Sequence, residues 1–84
     1  MELSEQVRSI QSKADLIAFV EALCDDLQAN PMTWENPTLD RFLSALANWL
    51  EDSDGYYINQ GVDPPSIPTW RHVADMLMAA KMYE

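Results

Sequence analysis

The chain has few of the residues that build metal centres, disulfides and phosphate-binding loops. Its 84 residues include one cysteine, one histidine and two glycines. One cysteine cannot form an internal disulfide, and this is typical of proteins in a reducing cytoplasm. Transition-metal sites need clustered cysteine and histidine, and phosphate-binding loops need several glycines. The sequence therefore predicts neither a metal nor a cofactor.

Basic residues are also scarce. Five Lys and Arg face 14 Asp and Glu, which gives a net charge of -9. Such a chain should repel nucleic acid and anionic membranes and attract basic protein surfaces. No apolar run is long enough to cross a bilayer, and the N-terminus lacks the layout of a signal peptide. We therefore expect one soluble cytoplasmic domain over residues 1–84 that binds neither nucleic acid nor a membrane.

Apolar residues recur at helical spacing in the first third of the chain. Leu3 and Val7 belong to a short amphipathic helix. Ser12 and Asp15 have the spacing of a capping box, which predicts the start of a second helix. Asn30-Pro31 ends this helix, because proline disfavours the α conformation in the residue before it. The predicted buried face of the second helix consists of Leu16, Ile17, Phe19, Val20, Leu23, Cys24 and Leu27.

The rest of the chain predicts two more helices separated by a loop. Asn36 can cap the third helix with Pro37 at its first position, and its predicted inner face is Leu39, Phe42, Leu43, Leu46, Trp49 and Leu50. Residues 51–68 hold both glycines and three prolines, and predict a long ordered loop with room for one short helical turn. The last helix begins near Pro68 or Thr69, and its predicted inner side is Trp70, Val73, Ala74, Leu77 and Ala80.

No stretch alternates with the period of a strand for long enough to form one. The predicted fold is therefore all-α. It is a small bundle of three main helices plus a short extra helix, with a long ordered loop before the last helix.

The acidic stretch "WLEDSDGYYINQG" at residues 49–61 does not match a calcium loop. An EF-hand needs oxygen ligands at its first position and glutamate at its twelfth. With Gly55 at the sixth position, these places hold Leu50 and Gly61. The one Cys–His pair that the chain could form would use Cys24, a predicted core thiol, and His72. The sequence thus predicts a protein that is not an enzyme.

The same stretch has the composition of a docking surface. Two adjacent tyrosines among acids should not both be buried, and exposed tyrosines recur as binding hot spots. Acids near helix ends at Asp25 and Glu51 oppose the helix dipole and cost stability. Two alternatives stay open: the rings cover the core, and the acids serve only solubility. The predicted partner-binding residues are Tyr56, Tyr57, Asp52, Asp54, Asp63, Glu51, Asp25 and Asp26.

Two segments carry a resemblance to a known family. "WENPTLDRFLSALANWLEDSDGYY" and "PSIPTWRHVADMLMAAKMYE" resemble a group of small bacterial proteins catalogued only as a domain of unknown function. The resemblance begins at about Ser12, implies a bacterial origin and implies no activity. The residues that it marks as family features are Trp34, Glu35, Asn36, Trp49, Tyr57, Trp70, Tyr83 and Glu84.

A second, looser resemblance indicates the kind of partner that the protein binds. "SDGYYINQGVDPPS" is similar to the Asp–Tyr–Tyr segment of the immunity proteins that neutralise colicin-type nucleases, which are also acidic and all-helical. This resemblance implies a protein-binding module that neutralises a basic partner such as a bacterial nuclease toxin. The alternative is a structural or regulatory subunit that self-associates through its methionines, Met76, Met78 and Met82.

Overall fold

The computed structural model describes residues 2–64 and 66–83. Within them no strand occurs, which confirms the all-α fold. Glu84, one of the expected family features, lies outside the described residues. The elements in chain order are α1 (Leu3–Arg8), α2 (Lys13–Ala29), a 3-10 turn (Pro31–Thr33), α3 (Leu39–Asn59) and α4 (Trp70–Met82).

Helix α4 lies at the centre of the bundle. It packs against α1, α2 and α3, whereas no Cα atom of α2 comes within 8 Å of one in α3. Ala74 and Ala80 of α4 are fully buried, and such small side chains allow neighbouring helices to approach closely. Helices α2 and α3 therefore lie on different sides of α4, with a groove between them.

The hydrophobic core lies around α1, α2 and α4. Phe19 of α2 is fully buried at its centre. Several half-buried residues pack around it, including Phe42 at the start of α3 and Leu77 of α4. The buried members of the core are Val7, Ile10, Phe19, Leu23, Trp34 and Ala74.

Helix α3 is longer than the sequence predicts, and the predicted loop over residues 51–59 is wrong. A glycine costs a helix about 1 kcal/mol relative to alanine but does not end it, so Gly55 lies inside α3. Ser53 is buried, and its hydroxyl donates a hydrogen bond to the Leu50 carbonyl at 2.9 Å. Glu51, in consequence, is a mid-helix residue and does not lie near a helix end.

The end of α3 is set by the second glycine. Gly61 has a φ of 76°, a left-handed conformation that favours glycine. Its N–H donates to the Ile58 carbonyl at 3.0 Å, and the Val62 N–H donates to the Tyr57 carbonyl at 3.0 Å. These two bonds form a Schellman motif, which satisfies the last carbonyls of the helix.

Asn36 does not cap α3, so this prediction is also wrong. The N-cap position of α3 is Thr38. The buried Asn36 side chain instead donates to the carbonyls of Ala80 at 3.0 Å and Tyr83 at 2.6 Å. Its own N–H donates to the Lys81 carbonyl at 3.1 Å. Asn36 thus satisfies the last carbonyls of α4 and fixes the start of α3 beside them.

The predicted buried faces are broader than the real ones. Cys24 is exposed, and so are Ile17 and Val20, at 51% and 44%. Trp70, predicted to face inward, is 45% exposed. The predictions for Ile17, Val20 and Cys24 fail because α2 has no neighbouring helix on its α3 side.

Asp26 joins α2 to the end of α4. Its carboxylate accepts a hydrogen bond from Trp34 Nε1 at 2.7 Å and pairs with Lys81 Nζ at 3.1 Å. The Lys81 ammonium also lies 5.4 Å from the centre of the Trp34 ring, within range of a cation–π contact. The Trp34 hydrogen bond and Lys81 hold the pKa of the Asp26 carboxyl below its usual range. Asp26 is therefore engaged within the fold, whereas the sequence predicts it at a partner-binding rim.

Neighbouring acids at the end of α2 should respond in opposite ways to neutralisation. Asp26→Asn removes the ion pair to Lys81 and should lower the free energy of unfolding by about 1–2 kcal/mol. Asp25→Asn relieves repulsion from the helix dipole and from Glu21, and should raise it by about 0.3–1 kcal/mol. Urea unfolding of both variants checks this, and equal effects would contradict the assignment of Asp26.

The stabilisation that Asp26 provides to the folded protein should decrease as pH falls. Its pKa in the folded protein lies below the ordinary value of 3.8, so folding favours the ionised form. The stabilisation is fully present above the ordinary pKa and is lost as pH falls through the lowered one. The difference between wild type and Asp26→Asn should therefore shrink between about pH 6 and about pH 2. A constant difference would mean that the negative charge is not the stabilising feature.

Candidate protein-docking surface

The predicted site residues do not form one surface. Asp54 and Tyr56 are both in α3, and two residues along a helix correspond to a rotation of about 200°. Glu51 lies three residues before Asp54, so these two acids share one side of the helix and Tyr56 lies on another. Asp25 belongs to α2, and Asp63 follows the turn that ends α3. The acids therefore divide among several sides of the bundle, although Asp52 shares a side of α3 with Tyr56 and Asp63 borders the same cleft as Tyr57.

Tyr57 is part of the packing between α3 and α4. Its hydroxyl donates to Asp75 Oδ2 at 2.9 Å, and Arg71 Nε donates to the other oxygen of the same carboxylate at 3.0 Å. Its ring meets the His72 ring edge to face at 5.5 Å. Burial and the hydrogen bond to Asp75 raise the pKa of the Tyr57 hydroxyl. Of the two roles open for this ring, docking and covering the core, these contacts support the second.

Tyr56 reaches solvent, as predicted for at least one of the pair. Its side chain is 43% exposed. The ring nevertheless packs on buried Trp49, with the ring centres 5.7 Å apart. It faces a cleft bordered by Val7 of α1 and Met78 of α4. Tyr56 is thus a half-exposed edge of the core and is separated from Glu51 and Asp54.

The acids themselves fall into two groups. Asp52 accepts a hydrogen bond from the Tyr83 hydroxyl and raises the pKa of that tyrosine, so Asp52, like Asp26, is engaged within the fold. Asp25, Asp54 and Asp63 are exposed, as is Glu51. The salt bridges found within residues 2–64 and 66–83 are Arg71–Asp75 and Lys81–Asp26. The exposed acids therefore keep their charge available to other molecules.

The largely apolar opening in the surface is the groove between α2 and α3. We call it the α2–α3 groove. It has a volume of about 360 Å³. Leu77 of α4 contributes to its floor, while α2 and the start of α3 supply its walls. The residues that line it are Val20, Leu23, Cys24, Leu27, Trp34, Asn36, Pro37, Leu39, Phe42 and Leu77.

Apolar side chains on both walls are open to water. Leu39 is 73% exposed and Leu43, one helical turn later, is 52% exposed. On the opposite wall Ile17, Val20 and Cys24 are exposed as well. Single exposed leucines are common, but adjoining apolar strips on two helices mark an interaction surface.

Acidic side chains lie along the outer side of each apolar strip. On α2, Glu21 follows Ile17 by four residues and lies next to that strip. On α3, Asp54 follows Leu50 by four residues, and Leu50 is itself 41% exposed. Asp25 and Arg41, by contrast, line two other clefts. We call the exposed acids beside the strips the acidic rim; its members are Glu21, Asp40, Glu51 and Asp54.

The sequence indicates the rim but not the groove. The sequence predicts Glu51 and Asp54 of the rim as partner-binding residues, whereas it assigns Leu39 and Leu43 to the core. One signal could have revealed the groove. The apolar face predicted for α2 is wider than a single neighbouring helix can cover, so part of it had to stay exposed.

In the described part of the chain, no three Asp, Glu, His or Cys side chains are grouped to hold a metal ion. The ring nitrogens of His72 are buried and lack hydrogen-bond partners there, with Trp49 6.4 Å away. Across residues 2–64 and 66–83, no helix combines the length and the hydrophobicity needed to span a membrane.

The two tyrosines should differ when their hydroxyls are removed. Tyr57→Phe loses the hydrogen bond to Asp75 and should lower the free energy of unfolding by about 0.5–1.5 kcal/mol, while Tyr56→Phe should change it little. Above pH 10.0, the ordinary pKa of Tyr57, the hydroxyl loses its proton in the unfolded chain and keeps it in the folded protein. The free energy of unfolding of the wild type should therefore fall faster with rising pH than that of Tyr57→Phe. Guanidinium unfolding between neutral and alkaline pH measures both effects. A larger loss for Tyr56→Phe would reverse the assignments.

Cys24 should react readily with a thiol reagent in the folded protein. It is exposed in the groove wall, although the sequence predicts a protected core thiol. Its native rate of reaction with a disulfide reagent should approach the rate in denaturant. Because it is the single cysteine, the signal has one source. Reaction only after unfolding would show that α2 is rotated and that the groove is closed.

Comparison with known proteins gives one match. Nothing among the curated proteins or the solved structures matches the chain. Residues 12–84, which include α2, α3, α4 and every residue of the groove, match a family described as a family of unknown function, DUF7660. The start of this match agrees with the resemblance found in the sequence at about Ser12. The chain belongs to the DUF7660 family of unknown function.

Proposed function

We propose that the protein is a non-enzymatic module that binds a basic protein partner. The observation that carries this proposal is the exposed apolar groove with acids along both of its outer sides, on a chain of net charge -9. Apolar strips supply the affinity of protein interfaces, and rim charges steer the partner and select it. The acids along each helix repel one another, and this repulsion lowers stability unless a positively charged group lies beside them.

The partner most consistent with this surface is a basic toxin domain, such as a nuclease. A nucleic-acid-binding protein presents positive charge, and an acidic module can occupy the surface on which its substrate would bind. This is the arrangement that the resemblance to immunity proteins implies. The proposal makes the protein an immunity or antitoxin protein of a bacterial cytoplasm.

Self-association is the weaker alternative. Met76 and Met78 are partly buried, and of the three methionines only Met82 is exposed, at 52%. A dimer would also bring together two chains of charge -9, which repel each other. The methionines therefore give less support to self-association than the groove gives to a basic partner.

Co-expression with the captured partner tests the proposed function. The tagged protein is incubated with lysate of its source organism at low and at high salt, and the proteins bound under each condition are identified. Expression of such a partner alone should arrest cell growth, and co-expression with this protein should restore it. A captured partner that is acidic, or whose binding is unaffected by salt, would contradict the proposal of a basic partner. A harmless basic partner would contradict the antitoxin role.

A further inference from the structure

We propose that the α2–α3 groove binds an amphipathic helix of the partner, with an apolar face and Lys or Arg along both margins. This inference rests on the proposed function and names the part of the partner that the groove would hold.

The shape of the groove fits a helix. Both walls and part of the floor are helices, and the wall helices α2 and α3 have 17 and 21 residues. Because α2 and α3 both pack on α4 and not on each other, a helix laid between them would contact both walls and Leu77 of α4, as neighbouring helices of a bundle do. Helices that dock in this way insert side chains spaced i, i+3, i+4 and i+7.

The walls of the groove disfavour an extended segment. The exposed side chains at Val20, Leu39 and Leu43 offer no hydrogen-bonding groups. An extended peptide would leave its backbone N–H and C=O groups facing these apolar walls, and unpaired buried groups of this kind are costly. A helix satisfies its backbone internally and brings only side chains to the groove.

The acidic rim determines the charge of the occupant. Glu21 follows the groove residue Val20 on α2, Asp40 follows the groove residue Leu39 on α3, and Asp54 lies farther along α3; all three acids are exposed. A helix in the groove would place the margins of its apolar face against these acids. Lysine or arginine at the margins would form salt bridges there, whereas a second copy of this chain would bring further negative charge.

A pair of designed peptides tests this proposal by calorimetry. Both are helical, of about four turns, with leucine at i, i+3, i+4 and i+7; one carries lysine at the margins and the other glutamate. The lysine peptide should bind the wild type at least about tenfold more tightly than the glutamate peptide. Bound lysine peptide should also slow the labelling of Cys24. Equal binding of both peptides, or binding of neither, overturns the proposal.

Matched variants show whether binding occurs in the groove. The double substitution Leu39→Ser and Leu43→Ser changes an exposed residue that lines the groove and the exposed leucine one helical turn further along α3, and Met82→Ser changes an exposed residue outside the groove. The double variant should lose at least about tenfold in affinity for the lysine peptide, and Met82→Ser should lose little. Circular dichroism confirms that each variant folds. Equal affinity of all three proteins would show non-specific attraction to negative charge, which overturns the proposal.

Two further outcomes separate this inference from the proposed function. If the captured partner binds the Leu39→Ser, Leu43→Ser variant as well as the wild type, the groove proposal is wrong and the binding function stands. If sedimentation shows a wild-type dimer that the same variant abolishes, the groove joins two copies of this chain and the partner-helix proposal is wrong. If the lysine peptide binds in the groove but no captured partner is toxic, only the antitoxin role is wrong.

Discussion

The packing of three helices on α4 determines the rest of the molecule. Since α4 presents the small, fully buried side chains of Ala74 and Ala80, its neighbours can approach it closely. Two of these neighbours are also fixed to it by polar contacts: α2 through Asp26 and Lys81, and α3 through Tyr57 and Asp75. Because α2 and α3 both use α4 as their partner, neither covers the other, and a groove is left between them.

The acidic residues serve two physical roles that net charge alone does not distinguish. Asp26, Asp52 and Asp75 accept hydrogen bonds from side chains of other elements and hold the bundle together. Glu21 and Asp54, by contrast, are exposed beside apolar strips. Acids of the first kind are needed for the fold, and acids of the second kind give the groove its preference for basic partners.

Local chemistry predicts much of this fold. Ser12 accepts a hydrogen bond from the Asp15 N–H at 3.1 Å, as the predicted capping box requires, and the helix that it starts ends at Ala29, just before Asn30-Pro31. Thr69 likewise accepts a bond from the His72 N–H at 3.0 Å at the start of α4. Such signals are readable because each acts within one or two helical turns.

The parts that the sequence does not predict depend on distant contacts. Asn36 bonds to carbonyls at Ala80 and Tyr83, more than 40 residues away, so its local resemblance to a cap is misleading. Gly55 and Gly61 look alike as helix breakers, and only the conformation of Gly61 shows which one ends α3. The groove is unpredictable for the same reason, since periodicity shows which residues share a face but not which faces lack a neighbour.

Methyl-group NMR with the lysine-margined helical peptide shows directly whether a basic helix binds in the α2–α3 groove. Binding there should shift the methyl signals of Val20, Leu39 and Leu77, which line the groove. Signals from Val7 and Met78, beside Tyr56 on another side of the bundle, should stay in place. Shifts that centre on Val7 and Met78, or that spread evenly over the acidic surface, would contradict binding in the groove.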